Sequence, residues 1–210
     1  VSGSKGIFNF TEQIMYMKKL FFSLIILFTG LSLTAQDKPE GLFIHSKAPD
    51  IKGKDQNGND IRLKEMIKKG PVVLVFYRGE WCPFCNKELK RLEDSLDLIK
   101  EKGAQLLAVT PEKSSAVAQT VEKTGATYPI ISDEERKIMK AYDVAFQVDD
   151  KTVKRYKSFD IDLEANNGDN GAYLPVPAVY IINKEGLVTY RFFEPDYKKR
   201  PSVKELLDNL

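Results

Sequence analysis

The sequence predicts an α/β domain: a central mixed β-sheet flanked by helices, with an N-terminal β-hairpin and an insertion before a late strand. Three observations carry this reading. Val72-Val73-Leu74-Val75-Phe76-Tyr77 is a continuous apolar, β-branched run, the mark of a strand buried on both faces. Similar short runs alternate with segments of helical periodicity. The chain then closes with two strand-like runs around a tight turn and a short helix, so the sheet must hold antiparallel as well as parallel pairs.

Taken in order, Ile51 to Leu63 contains Asp55-Gln56-Asn57-Gly58-Asn59-Asp60, an Asn-Gly turn between short strands and hence a hairpin. After the strand at Val72–Tyr77, a helix is expected to run to about Lys102. Its apolar positions Cys85, Leu89, Leu92, Leu96 and Ile99 keep one face inward, and Gly103 ends it. Leu106–Val109 is the next strand. Thr110 is expected to cap a helix beginning at Pro111, where the missing N–H costs nothing. Tyr128–Ile131 is a third strand of this series, and Ser132-Asp133-Glu134-Glu135 reads as a capping box opening another helix. From about Asp143 to Leu174 the rhythm breaks. The turn-rich Asn166–Gly171 and the polar, basic Lys151–Lys157 are read as a solvated insertion rather than a substrate-shaping lid. Ala178–Ile182 and Leu187–Phe193 flank Asn183-Lys184-Glu185-Gly186 as an antiparallel hairpin. Ser202-Val203-Lys204-Glu205 is a second capping box, with Val203, Leu206, Leu207 and Leu210 as the inward stripe of the last helix.

Composition narrows the function classes. The 210 residues are 42% hydrophobic and 30% charged, enough to bury a sizeable core. The formal charge is +2, and its excess lies in the first 35 residues, so the folding part is neutral and no nucleic-acid partner or anionic membrane held by basic charge is expected. A single histidine, His45, argues against a Ser-His-Asp or Cys-His pair and against a zinc site, and no metal or cofactor is expected. Met17-Lys18-Lys19 precedes an apolar run ending in small residues at Ala35, the pattern of a secretory signal peptide. An uncleaved anchor would need about 20 apolar residues, and this run is shorter and interrupted. Residues 1–16 are thus read as an upstream extension outside the mature protein, 17–35 as a signal peptide and 36–210 as the folded domain. That domain would be exported, in a bacterium to the periplasm, where a disulfide can persist, with no stable membrane insertion after cleavage.

Two cysteines, Cys82 and Cys85, lie three apart where a buried strand hands over to a helix. The first amides of a helix lack intrahelical partners and its dipole is positive there, so a thiolate is stabilised. A cysteine so placed titrates below its free value, and the thiolate is the reactive form. Cys85 shares the face of the core-facing leucines. Cys82 is therefore expected to be the exposed, attacking sulfur and Cys85 the sheltered one that closes a disulfide. A structural disulfide closing so short a ring gains little, half a zinc site lacks partners, and chance packing does not explain the position.

The stretch Phe76-Tyr77-Arg78-Gly79-Glu80-Trp81-Cys82-Pro83-Phe84-Cys85 resembles the strand-to-helix active-site junction of the thioredoxin superfamily. Leu174 to Gly186 resembles its later strand, with Pro177 at the place of the superfamily's cis-proline. More closely, Ala48-Pro49-Asp50, the Trp-Cys-Pro-Phe-Cys core, Ile161-Asp162-Leu163 and Pro195-Asp196-Tyr197 resemble the peroxiredoxin-like branch of the alkyl hydroperoxide reductase and thiol-specific antioxidant family. The resemblance implies the thioredoxin fold, a cis bond at Val176–Pro177 and peroxidase chemistry. The Cys82 thiolate attacks a hydroperoxide, Cys85 condenses with the resulting sulfenic acid, and a thioredoxin-like dithiol protein restores both thiols. Trp81, Val176 and Pro177 would border the substrate.

The sequence departs from that family in two donors that align the peroxide. Typical members carry a Thr or Ser three residues before the attacking cysteine and an Arg on the strand that here begins after Pro177. This chain has Gly79 at the first place and Pro177 near the second. Arg78 is the best substitute, against the plainer reading of a surface arginine pairing with Glu80, and Arg191 is a weaker one. A Trp-Cys-Pro-x-Cys centre also resembles exported thiol-disulfide oxidoreductases, which need no peroxide donors. A binding module with an incidental disulfide is the third reading. His45, Glu88 and Glu93 are expected to be ordinary exposed groups.

Overall fold

The computed structural model describes residues 38–210 and, besides these, Ile14, Met15 and Met17. Those three positions apart, the upstream extension and the signal peptide expected over 1–35 lie outside the described residues. The expected hairpin is present: β1 (Lys52–Lys54) pairs antiparallel with β2 (Asp60–Arg62). Its turn is tied by the Asp55 carboxylate, which accepts from the Asn57 and Asn59 amides, and Gly58 takes a left-handed φ of 81°. Helix α1 (Leu63–Lys69) follows directly.

The central sheet contains β3 (Val72–Phe76), β4 (Gln105–Thr110), β5 (Ile130–Ser132), β8 (Ala178–Ile182) and β9 (Val188–Phe193), in the order β5-β4-β3-β8-β9. Strands β3, β4 and β5 are parallel, and β8 runs antiparallel to both its neighbours. Because side chains alternate along a strand, β3 feeds two cores. Val73, Val75 and, one residue past the strand, Tyr77 pack with Leu89, Leu92, Ile99, Val179 and Leu206. Val72, Leu74 and Phe76 pack with Leu107, Val109, Tyr142 and Tyr180 on the other face. Each fully buried aliphatic or aromatic side chain contributes about 1.5–3 kcal/mol, so β3 is the fixed axis of the domain.

The helical segments depart from expectation in three places. The helix after β3 is two, α2 (Pro83–Asp94) and α3 (Leu96–Glu101), broken at Ser95, whose ψ of 10° leaves the helical line. The next helix, α4, spans Ser114–Thr124 instead of starting at Pro111, because Glu112 turns inward to accept the Glu80 N–H. The capping box after β5 does not form. Helix α5 (Lys137–Ala141) begins later, its Ile138 and Met139 amides bound by the buried Asp133 carboxylate. Of the final box the N-cap half forms: Ser202 Oγ accepts the Glu205 N–H at the start of α8 (Val203–Asp208), while the Glu205 carboxylate accepts from Tyr190 Oη instead.

The largest correction concerns 143–174, which is a folded subdomain and not a solvated loop. It holds β6 (Ala145–Gln147) paired antiparallel with β7 (Tyr173–Pro175), α6 (Asp150–Lys157), α7 (Leu163–Asn167) and a 3-10 turn at Gly168–Asn170. Val148, Leu163 and Leu174 form its own small core, with Trp81 and Tyr156 packed against it. The sequence hides this because α6 is basic and its stripe is short. The bond before Pro177 is also not cis, for the described residues hold no cis peptide bond. The chain leaves β7 extended there, with the Val176 N–H donating to Val144 O and Pro177 O accepting from Glu194 N–H, a path the commoner trans isomer serves. Among the described residues no helix is long and apolar enough to cross a membrane.

Asn170, 1% exposed, anchors the subdomain by donating to Pro111 O at 2.7 Å and Asp133 O at 2.8 Å. Asn170→Ala leaves two buried carbonyls short of a donor and is expected to cost about 1–3 kcal/mol, read as a lower denaturant midpoint. An unchanged midpoint would show that the anchor carries no weight.

Candidate active site

Beyond β3 the chain runs through Tyr77-Arg78-Gly79-Glu80-Trp81 into α2, with Cys82 as N-cap residue and Pro83 in the first helical position. The Cys82 carbonyl accepts from the Cys85 and Asn86 amides at 3.0 Å each, which sets Cys85 one turn beneath Cys82. The Cys85 thiol donates to Cys82 Sγ at 2.7 Å, and both cysteines are free.

Arg78 is neither a surface group nor a partner of Glu80. It is 5% exposed, and Glu80 pairs with Lys123 instead. Its guanidinium donates to Cys82 Sγ at 3.6 Å and to Tyr156 Oη at 3.1 Å. The guanidinium also lies over the rings of Tyr197 at 4.1 Å and Trp81 at 5.0 Å. Nε of Arg78 is buried with no hydrogen-bond partner among the described residues. Donation from the Cys85 thiol, the charge and hydrogen bond of Arg78 and the Cys85 backbone amide outweigh burial and bring Cys82 down to about 5. Cys85 goes the opposite way, held well above the ordinary thiol value by burial and by the neighbouring sulfur.

One expectation fails here. Cys82 is not the exposed sulfur: both cysteines are 0% exposed. The cause is Arg78, which lies against the sulfur under Tyr156 and Tyr197. What opens to solvent is a cavity of about 320 Å³ above this layer, lined by Arg78, Phe146, Val148, Tyr156, Pro177 and Tyr197, with Asp149, Thr152 and Arg155 among its polar groups. Of the expected substrate neighbours, Pro177 lines the cavity, whereas Trp81 packs behind Arg78 against Tyr156, and Val176 is buried and does not line the cavity. Arg191 is elsewhere, bonded to Glu40 O and stacked on Phe43 and Phe193. His45 is exposed in a turn.

Gly79 has a physical reason. Its φ of 157° disfavours a side chain, and a Cβ there would collide with Trp81 Nε1 and the Glu112 carboxylate. The space a Thr hydroxyl would need is therefore filled. Glu112 is itself buried, accepts the Glu80 N–H at 2.9 and 3.0 Å, and is pushed up to about 8 by burial.

Glu88 was expected to be exposed and is not. It is 3% exposed and forms an ion pair with Arg200, whose Nη2 donates to Cys85 Sγ at 3.4 Å. Glu93 is half-buried, accepting from Thr127 N–H and Oγ1–H. A signal for Glu88 existed: it lies one turn after Cys85, on the stripe of core leucines. Arg200 and Tyr156 had none, being remote in sequence.

A parallel-antiparallel sheet with a Cys-x-x-Cys pair at the head of the helix after its central strand defines a thioredoxin-fold redox protein. Residues 44–191 match the AhpC/TSA family model, and the chain belongs to that family. Thiol-disulfide oxidoreductase ResA of Bacillus subtilis (strain 168) is 27% identical over 144 residues, covering 68% of this chain and 63% of that protein. Its namesake from Geobacillus kaustophilus (strain HTA426) is 33% identical over 102 residues, 48% of this chain and 58% of that one. Chloroplastic peroxiredoxin Q of Oryza sativa subsp. japonica is 25% identical over 154 residues, 72% and 60%. The chain thus spans about three fifths of the length of these relatives. Among solved structures, peroxidoxin BcpB from Mycobacterium tuberculosis superposes with a TM-score of 0.60 at 19% identity, covering 79% of this chain and 94% of that one. The reduced 2-Cys peroxiredoxin of Plasmodium vivax gives 0.60 at 20% identity, covering 80% and 93%. Both share the fold.

The Glu112 arrangement sets a pH dependence of stability. Its folded value of about 8 lies above the ordinary 4.5, so between the two the unfolded chain ionises while the folded protein keeps the proton. Stability present at low pH is therefore lost as pH rises through that window. Glu112→Gln removes the loss: its Tm is expected to exceed the native one at pH 8 and to converge with it toward pH 4.5. Each kcal/mol corresponds to roughly 2–4 °C. Parallel melting curves at all pH values would contradict a neutral, buried Glu112.

Proposed function

We propose that this protein is a thiol-dependent peroxidase that reduces hydroperoxides through Cys82 and Cys85 and is recycled by a thioredoxin-like dithiol protein. The observation that supports it most is Arg78, a guanidinium resting on a buried thiolate at 3.6 Å with a free donor, at the floor of a cavity. The cavity of about 320 Å³ far exceeds the ~30 Å³ share of one water, so an organic hydroperoxide fits as well as hydrogen peroxide. Arg78 takes over both missing family donors. It keeps Cys82 ionised by staying on the sulfur, and its unpartnered Nε–H is the donor left to hydrogen-bond the peroxide. The peroxide reaches the sulfur when Tyr197 moves aside, a cation–π contact worth about 0.5–2 kcal/mol.

Cys82 Sγ attacks the terminal peroxide oxygen, the O–O bond breaks as the S–OH bond forms, and the departing alkoxide leaves as alcohol after taking a proton from solvent. The Cys82 sulfenic acid then meets Cys85, whose sulfur bonds to Cys82 as the S–O bond breaks and water leaves with the Cys85 proton. An external dithiol protein reduces the disulfide and is itself oxidised. We further take residues 36–210 to act as an exported redox domain, on the strength of the leader pattern after Met17.

A second reading, protein disulfide exchange, is favoured by the 2.7 Å sulfur pair, which closes a disulfide without unwinding α2, and by the relatives named as thiol-disulfide oxidoreductases. The one tryptophan, Trp81, beside Arg78, reports on either reaction by fluorescence in the full chain. Oxidation by hydrogen peroxide or cumene hydroperoxide is expected to outrun a free cysteine by orders of magnitude. Cys85→Ser should stop it at the sulfenic acid, and Arg78→Met should slow it by about 10²–10³-fold. A peroxide rate no faster than free cysteine, with rapid exchange on a protein disulfide, would overturn the peroxidase reading in favour of the second.

A further inference from the structure

The segment between β9 and α8 carries Pro195-Asp196-Tyr197. It crosses the head of α2 as a strap. Tyr197 stacks edge-on against Phe84 and lies over Arg78, while the Pro201 carbonyl accepts from Arg91. At its end Arg200 points inward, its side chain 7% exposed. Every arm of its guanidinium is engaged. Nε binds the Glu88 carboxylate, Nη1 donates to the carbonyls of Tyr197 at 2.7 Å and Lys199 at 2.6 Å, and Nη2 reaches Cys85 Sγ at 3.4 Å. So rigid a clamp on a sulfur that must itself become a nucleophile calls for a chemical role.

We propose that Arg200 is the residue that ionises Cys85 for its attack on Cys82, and that it does so only after Cys82 has reacted. Besides Arg200, Cys82 at the N-cap of the same helix faces Cys85. Arg78 and Tyr77 stand just past the end of β3, the Arg78 backbone bonding to Cys85 as well. Glu88, on the same helix, faces Arg200, with Arg91 beside it. While Cys82 is a thiolate, its negative charge and its bond from the Cys85 S–H hold the proton on Cys85. Once Cys82 becomes a sulfenic acid or a mixed disulfide, that charge is gone and the two arginines remain. Burial pushes Glu88 up to about 7, so its carboxyl offsets Arg200 only in part near neutral pH. The Cys85 thiolate then forms beside Arg200, its sulfur bonds to Cys82, and its proton leaves with the departing hydroxide as water or with the departing thiolate as thiol. The two arginines thus divide the cycle, Arg78 serving the first sulfur and Arg200 the second. The inference rests on the order of reaction proposed above, Cys82 first and Cys85 second, which the peroxidase and disulfide-exchange readings share.

The test titrates Cys85 itself in the full chain, with Cys82→Ser removing the competing thiol and the Cys85 Cβ followed by carbon NMR. No peroxide is used, so its outcome is separate from that of the peroxide kinetics. Arg200→Gln is expected to raise the Cys85 midpoint by about one pH unit or more, a tenfold loss of thiolate at a given pH, while Arg200→Lys retains much of the native value. Glu88→Gln, which leaves the Arg200 charge uncompensated, should lower the midpoint. If Arg200 merely braces the strap, Arg200→Gln would let water in and lower the Cys85 midpoint toward that of a free thiol, the opposite sign. A lowered or unmoved midpoint in Arg200→Gln overturns the inference. Should that variant fail to fold, an unmoved midpoint in Glu88→Gln overturns it equally.

Discussion

A thiolate with no exposed surface is the constraint around which this protein is arranged. Removing an unpaired anion from water costs several kcal/mol, and an isolated buried sulfur would stay protonated and inert. Three local features offset that cost at Cys82: the S–H of Cys85, the guanidinium of Arg78 and the backbone amide of Cys85. Of these only Arg78 brings a full positive charge, and it is kept in place from every side. Tyr156 accepts its hydrogen bond, Trp81 and Tyr197 sandwich it, and β3 fixes its backbone.

Two segments outside the central sheet complete the surroundings of that contact. The subdomain at 143–174 supplies Tyr156 and one wall of the cavity, and the strap at 194–201 supplies Tyr197 and the other. Gly79 is compelled by Trp81 and Glu112, which fill the space a Cβ would need, and Arg78 beside it turns its guanidinium onto Cys82. A second charged layer, Glu88 with Arg200, lies beneath Cys85. The pair of sulfurs is thus bracketed by two arginines drawn from distant parts of the chain.

Much of this was legible in the sequence because it is local. The run Val72–Tyr77, the Asn-Gly hairpin, the Ser202 N-cap and the Cys-x-x-Cys at a strand-to-helix junction each depend on neighbours a few residues away. The failures are tertiary. The start of α4 moved because Glu112 found the Glu80 amide, and α5 started late because Asp133 bound amides further along. The burial of Cys82 has no local signal, because Arg78 is held over the sulfur by Tyr156 and Tyr197, more than seventy residues away. The subdomain read as solvated because its core is only Val148, Leu163 and Leu174, too sparse to leave a period. Arg200 carries no pattern at all; only folding brings it to Cys85.

The central claim is that Arg78 keeps a buried sulfur charged. Its most direct measurement is an ultraviolet titration of the Cys82 thiolate in the full chain, read as the difference from Cys82→Ser and repeated with Arg78→Met. Ionisation near pH 5 is expected in the native chain, with the midpoint displaced toward the ordinary 9.0 once Arg78 is gone. A native midpoint in the ordinary thiol range, or one that Arg78→Met leaves in place, would contradict it.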